Sequence, residues 1–162
     1  MKSMWLMIAI ALVLTAGIQT VSAEEPAPMT PVMLSLFNPA QVPAENYDVK
    51  GLRINLLYGK CHNLYGLDAG LVNHTTGKEI GLDAGVVNYV EGKFTGLQVG
   101  AVNVSKRASA LQVGVYNGAD DMSGVQIGLI NHARIMRGVQ IGVINVIENN
   151  DIPFLPIVNF FF

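Results

Sequence analysis

"GVQIGLINHARIMRGVQIGVIN", Gly124 to Asn145, writes nearly the same eight residues twice, fourteen positions apart. The same frame extends outward in both directions. Upstream stand "ALQVGVYN" (110–117), "GLQVGAVN" (96–103), "GLDAGVVN" (81–88), "GLDAGLVN" (66–73) and "GLRINLLY" (51–58). Degenerate copies, "PVMLSLFN" (31–38) and "IPFLPIVN" (152–159), close the two ends. From Asn73 onward the closing Asn recurs at steps of 15, 15, 14, 14, 14 and 14 residues. A fixed short period of this kind marks a repeat architecture, in which each unit is completed by its neighbours.

Within a unit the pattern alternates with period two. One face reads Val125, Ile127, Leu129, Asn131, and the other Gly124, Gln126, Gly128, Ile130. Alternation with β-branched enrichment predicts strands, so the chain is all-β. The connectors, such as "YVEGKFT" and "HARIMR", are polar with scattered apolar members including Val90, Phe94, Ala119, Met122, Ala133 and Met136. The aliphatic side chains of one unit stabilise by roughly 1.5–3 kcal/mol each when buried. Ordering a fourteen-residue unit costs about 1–2 kcal/mol per residue. A unit cannot stand alone, and the aliphatic face is the one expected to turn inward.

Two arrangements satisfy this pattern. The favoured one is a stack of 14–15-residue strand repeats, a β-solenoid or open repeat stack. There Asn73, Asn88, Asn103, Asn117, Asn131 and Asn145 form a structural ladder, with amides hydrogen-bonding along the axis. All seven prolines lie at or before Pro43 or at Pro153 and Pro156. That placement suits a stack whose two exposed edges need blocking, because proline lacks the ladder donor. The alternative is an eight-stranded antiparallel meander closed as an outer-membrane β-barrel. It fits the count of strands from Gly51 and the terminal "PIVNFFF", but its apolar runs fall short of the 9–11 residues a membrane strand needs.

Residues 1–23 read as a secretory signal peptide: Lys2, an apolar run from Met4 to Ile18, and small residues before a break after Ala23. A Pro-rich linker (24–30) precedes a single β-repeat domain (31–162), with an N-terminal cap at 31–50, repeats at 51–151 and a C-terminal cap at 152–162. Ten Lys and Arg face twelve Asp and Glu, for a net charge of −2. No basic stripe suggests a nucleic-acid partner. Cys61 is the sole cysteine, so stability must come from packing rather than from an internal disulfide.

The residues that could carry chemistry read better as structure. Asp68 and Asp83 share one repeat position, with Arg53 a unit earlier, and are expected to form an ion-paired row rather than an acid–base pair. His74 and His132 would lie about 19 Å apart in a stack rising 4.8 Å per step, too far to share an ion. Adjacent Cys61 and His62 point to opposite faces of a strand and make no nucleophile–base pair. No metal, cofactor or catalytic residue is expected, and the chain reads as a non-enzyme. The flat Gly-Gln-Gly surface carrying Gln98, Gln112, Gln126 and Gln140 is the candidate binding face, suited to an extracellular polymer, a protein or another envelope component.

"GLQVGAVN", "GVQIGLIN" and "GVQIGVIN" resemble the bacterial surface-repeat family first noticed in leptospires, whose units read GLQ-x-G-x-x-N. The flanks "LSLFNPAQVPAENYDVKGLRINLLYG" and "LPIVNFFF" fit as well, so the resemblance covers about residues 31 to 162. It implies an exported, surface-associated protein with no catalytic residues to carry over. The chain departs from the pattern where Asp68 and Asp83 replace Gln, Ala110 replaces the leading Gly and Tyr58 replaces the closing Asn. The expectation is an exported, non-catalytic surface or cell-envelope repeat protein, a structural and interaction module. It would sit at the bacterial outer membrane, the cell surface or the periplasm, with membrane association open. The alternative function is a small integral outer-membrane barrel.

Overall fold

The computed structural model describes residues 26–162, so the expected signal segment and the first residues of the linker lie outside the described residues. Among the described residues every regular element is a strand. They are β1 (Met29–Phe37), β2 (Ala40–Val42), β3 (Asp48–Cys61), β4 (Leu64–Thr75), β5 (Glu79–Ile147) and β6 (Phe154–Phe161). β1 therefore begins inside the stretch expected to be linker.

The repeats stack in parallel and in register, making a β-solenoid. Gly51 pairs with Gly66, Leu52 with Leu67 and Arg53 with Asp68. One coil further, Gly66 pairs with Gly81, Asp68 with Asp83 and Asn73 with Asn88. Parallel pairing of consecutive units excludes an antiparallel meander, and with it the closed barrel. β5 is a single extended tract of 69 residues that winds through the remaining coils. Its chain bends at corners without losing the ladder.

The end copies behave differently. "PVMLSLFN" lies parallel on the first full coil, with Val32 opposite Leu52 and Ser35 opposite Asn55. β2 then folds back antiparallel along the outer edge of β1. "IPFLPIVN" does not continue the stack. Its strand, β6, reverses and pairs antiparallel with the last coil, Gln140 opposite Asn159 and Gly142 opposite Ile157. Pro31 lies in one end strand and Pro156 in the other, where missing donors cost nothing and block further pairing.

The burial pattern inverts the expected inside and outside. In the coil beginning at Gly124 the buried residues are Gln126, Asn131, Ala133 and Met136. Gly128 also faces in, because a Cβ there would lie 2.6 Å from the Asn117 amide nitrogen and 2.6 Å from the Gly114 carbonyl. Inward positions thus fall at the third, fifth, eighth, tenth and thirteenth places. Strict alternation fails twice within the coil, and the leading Gly adds a positive φ, +132° at Gly124. These irregularities mark bends of the coil. Ala110 takes the leading Gly's place without a positive φ.

The aliphatic side chains expected inside are outside. Leu129 is 55% exposed, Val143 63% and Ile127 39%. The connector residues Ala133 and Met136 do turn inward, joining Ala108, Ala119, Met122 and Ile147 in an apolar cluster. They pack opposite amide ladders, not against an aliphatic face. This inversion is physically sound because stacked amides satisfy one another, and buried polar groups are tolerable when fully hydrogen-bonded.

Candidate functional site

The Asn ladder closes one wall of the interior. Asn73, Asn88, Asn103, Asn117 and Asn131 each donate from Nδ2 to Oδ1 of the next Asn, ending on Asn145, at 2.8 to 3.0 Å. The same amides also donate to backbone carbonyls of the next coil, Ala84, Val99, Val113, Ile127 and Ile141. Tyr58 does not take the closing Asn's place. A register shift between Asn55 and Tyr58 puts Gly59 opposite Asn73 instead. Asn55 reaches into the space beside side-chain-free Gly59 and donates to Asn73 Oδ1 at 2.8 Å. The ladder therefore begins one coil earlier than its sequence pattern shows.

The Gln ladder runs the other way along the axis. Gln140 donates to Gln126, Gln126 to Gln112 and Gln112 to Gln98, at 2.7 to 2.8 Å. All four are fully buried. Gln98, Gln112, Gln126 and Gln140 accordingly line the interior and present no surface to a ligand. The expected Gly-Gln binding face is corrected on this point: the small glycines admit the neighbouring amides, not a partner.

The Gln ladder terminates on a carboxylate. Gln98 Nε2 donates to Asp83 Oδ2 at 3.2 Å, and Asn73 Nδ2 donates to Asp83 Oδ1 at 2.8 Å. One coil below, Asp68 pairs with Arg53 through both carboxylate oxygens, with Nε to Oδ1 at 2.9 Å. Arg53 also donates to the His74 carbonyl and the Thr75 hydroxyl. Burial alone would make this guanidinium easier to deprotonate, but the Asp68 charge outweighs it and the pKa rises. Of the expected ion-paired row, Arg53 and Asp68 form a buried pair, and Asp83 is held by amides.

A third carboxylate joins them. Glu79 is 1% exposed, and neither of its oxygens has a hydrogen-bond partner among the described residues. Oxygens of Asp68, Glu79 and Asp83 all lie within 4.8 Å of one another. Burial first, and the neighbouring Asp68 charge second, push Asp83 up to about 7. Burial and then the charges of Asp83 and Asp68 hold Glu79 well above the usual carboxylate range. Sequence reasoning missed Glu79, although a signal was present. The position two residues before the leading Gly or Ala of each coil reads Leu64, Glu79, Phe94, Ala108, Met122, Met136, and only Glu79 is polar.

The other candidates do not converge. His62 contacts Asp48 at 2.9 Å, His74 lies between Tyr58 and Glu91, and His132 contacts Glu148 at 2.8 Å. Cys61 is buried, and burial pushes its thiol up to about 11. It faces Thr75 Oγ1 at 3.7 Å, away from His62 on the exterior.

The exterior carries a second feature. Val99, Ile127 and Ile141 run up one side, with Leu111 two places earlier in its unit, and Val86, Val115, Leu129 and Val143 run up the corner after it. Leu71, Ile130 and Ile144 extend them, and Phe160 and Phe162 flank the C-terminal end. Exterior charge lies outside the eight-residue units, in connectors carrying residues such as Glu91, Lys93, Lys106, Arg107, Asp120 and Arg137. The chain has no match among protein-family models, curated proteins or solved structures.

Proposed function

We propose that the protein is an exported, non-catalytic cell-envelope module that associates with an apolar phase through its aliphatic side and corner. The observation that carries this reading is the outward-facing, charge-free set of aliphatic ladders. Monomeric soluble proteins rarely expose contiguous apolar patches above a few hundred Å². A polysaccharide would need hydrogen-bonding side chains, and this surface offers aliphatic ones. A lipid acyl layer asks only for apolar area and for paired backbone groups. Solenoid pairing along the axis meets the second demand on every side of the coil. Half-exposed aliphatic side chains entering lipid contribute roughly 1 kcal/mol each, so a few neighbours suffice for reversible binding.

The secretory-type leader and the resemblance to surface-repeat units support export, and the interior amides support a structural rather than catalytic role. The test is flotation of the purified chain with phosphatidylethanolamine–phosphatidylglycerol vesicles. The chain is expected to float with the vesicles, and I127K/L129K to remain at the bottom while keeping its strand spectrum. A wild-type chain that stays at the bottom as a monomer overturns the reading. A chain that instead elutes as a dimer and ignores vesicles overturns it too, in favour of pairing between copies.

A further inference from the structure

The chain's departures from its own interior pattern are not scattered. Where other coils place Gln, the first three place Arg53, Asp68 and Asp83. Where other coils place an apolar residue before the next corner, one places Glu79. These residues meet inside three successive coils. Glu79 also splits the apolar interior, lying between the cluster of Met33, Val49, Cys61 and Leu64 and that of Ala108, Met122 and Met136.

From this we infer that Asp68, Glu79 and Asp83 hold one hard divalent cation, Ca²⁺ in preference to Mg²⁺, inside the solenoid. Charge supports it first. Arg53 balances Asp68, and Glu79 and Asp83 leave two negative charges that one divalent ion neutralises. A buried, unpaired carboxylate costs several kcal/mol, and Glu79 with both oxygens unpartnered is aimed into the cluster.

Geometry supports it next. Oxygens within 4.8 Å of one another match the span across a single ion whose ligands sit at about 2.3–2.6 Å. The donors are all oxygen, which selects hard cations over zinc or copper. Mg²⁺ dehydrates reluctantly and demands near-ideal octahedral geometry, whereas Ca²⁺ accepts irregular sets of oxygens such as these three carboxylates, each at most 1% exposed. The competing state is protonation, since both Glu79 and Asp83 are held as stronger proton acceptors than ordinary carboxylates.

Because the carboxylates are enclosed, the ion enters as the chain folds. The mature chain is unfolded in urea with a chelator and refolded with Ca²⁺ or with chelator alone. After desalting, bound metal is counted by mass spectrometry and the melting temperature is read by circular dichroism. The expected result is about one Ca²⁺ per chain and a melting temperature higher by roughly 5–10 °C. Glu79→Gln should retain no ion and lose the shift, while melting at or above the ion-free wild type. Glu79→Leu, which copies Leu64 one coil earlier, serves if the Gln variant fails to fold. A wild type that retains no ion and melts identically in both buffers overturns the proposal, leaving protons to neutralise the site. Equal retention by wild type and Glu79→Gln overturns it as well, because the ion then sits elsewhere.

Discussion

Replacing Asn117 by Ala tests the inverted interior most directly. Asn117 Oδ1 accepts from Asn103 at 2.8 Å, and its Nδ2 donates to the Ile127 carbonyl at 3.0 Å and to Asn131 Oδ1 at 2.8 Å. All of this lies at 0% exposure. Truncation removes three hydrogen bonds and leaves their buried partners unsatisfied, at about 1–3 kcal/mol per group. Asn103 keeps a second bond to the Val113 carbonyl, which softens the loss on that side. The expected cost is about 3–5 kcal/mol. The control is Leu129→Ala in the neighbouring coil. Leu129 is 55% exposed, so its truncation loses only part of a transfer energy of about 1.5–3 kcal/mol, roughly 1 kcal/mol or less. Urea unfolding followed by circular dichroism should show a large fall in midpoint for Asn117→Ala and a small one for Leu129→Ala. The opposite order would refute the reasoning, because it would put the aliphatic ladder inside and the amides in solvent.

Further outcomes follow from the same geometry. Gly128→Ala places a Cβ 2.6 Å from both the Asn117 amide nitrogen and the Gly114 carbonyl, so it should cost about 1–3 kcal/mol in the same assay. Arg53→Gln leaves Asp68 buried without its partner and should destabilise by about 3–5 kcal/mol. Arg53→Gln/Asp68→Gln restores the repeat's own residue at both places and should recover most of that loss in a double-mutant cycle. Cys61, buried with its thiol pushed up to about 11, should resist iodoacetamide at pH 8 in the folded chain and react fully in urea, as read by intact mass. A chain lacking β6 exposes the ladder edge of the last coil and should self-associate, seen as a rise in light scattering that the full chain does not show.

Pattern alone determined a good deal. The fourteen- and fifteen-residue spacing from Asn73 to Asn145 required units that complete one another, because no unit could offset its own ordering entropy, and it favoured a parallel stack over an antiparallel meander without excluding the latter. Period-two alternation required strands. Proline at the ends and nowhere between favoured a stack with blocked edges, and in such a stack the Asn column predicted an amide ladder. These are properties of the chain's periodicity, and periodicity is local enough to read from a string.

Which face points inward was not local. Alternation assigns residues to two faces but does not label either one as core, and transfer energies favour burying Val125, Ile127 and Leu129. Only the folded coil shows that Gly128 leaves room for the Asn117 and Asn131 amides, and that these satisfy each other across successive coils. That mutual satisfaction removes the usual penalty on burying amides and frees the aliphatic residues to face out. The same closure hid the acidic site. Asp68 and Asp83 were visible as a column, but Glu79 belongs to a connector and joins them only because a corner of the coil turns it inward. The shift at Asn55, which lets an asparagine three residues early serve the ladder, likewise arises from pairing between coils. Repetition decided that the units complete one another, and the parallel pairing and packing across the axis decided how they stack and what the stack encloses.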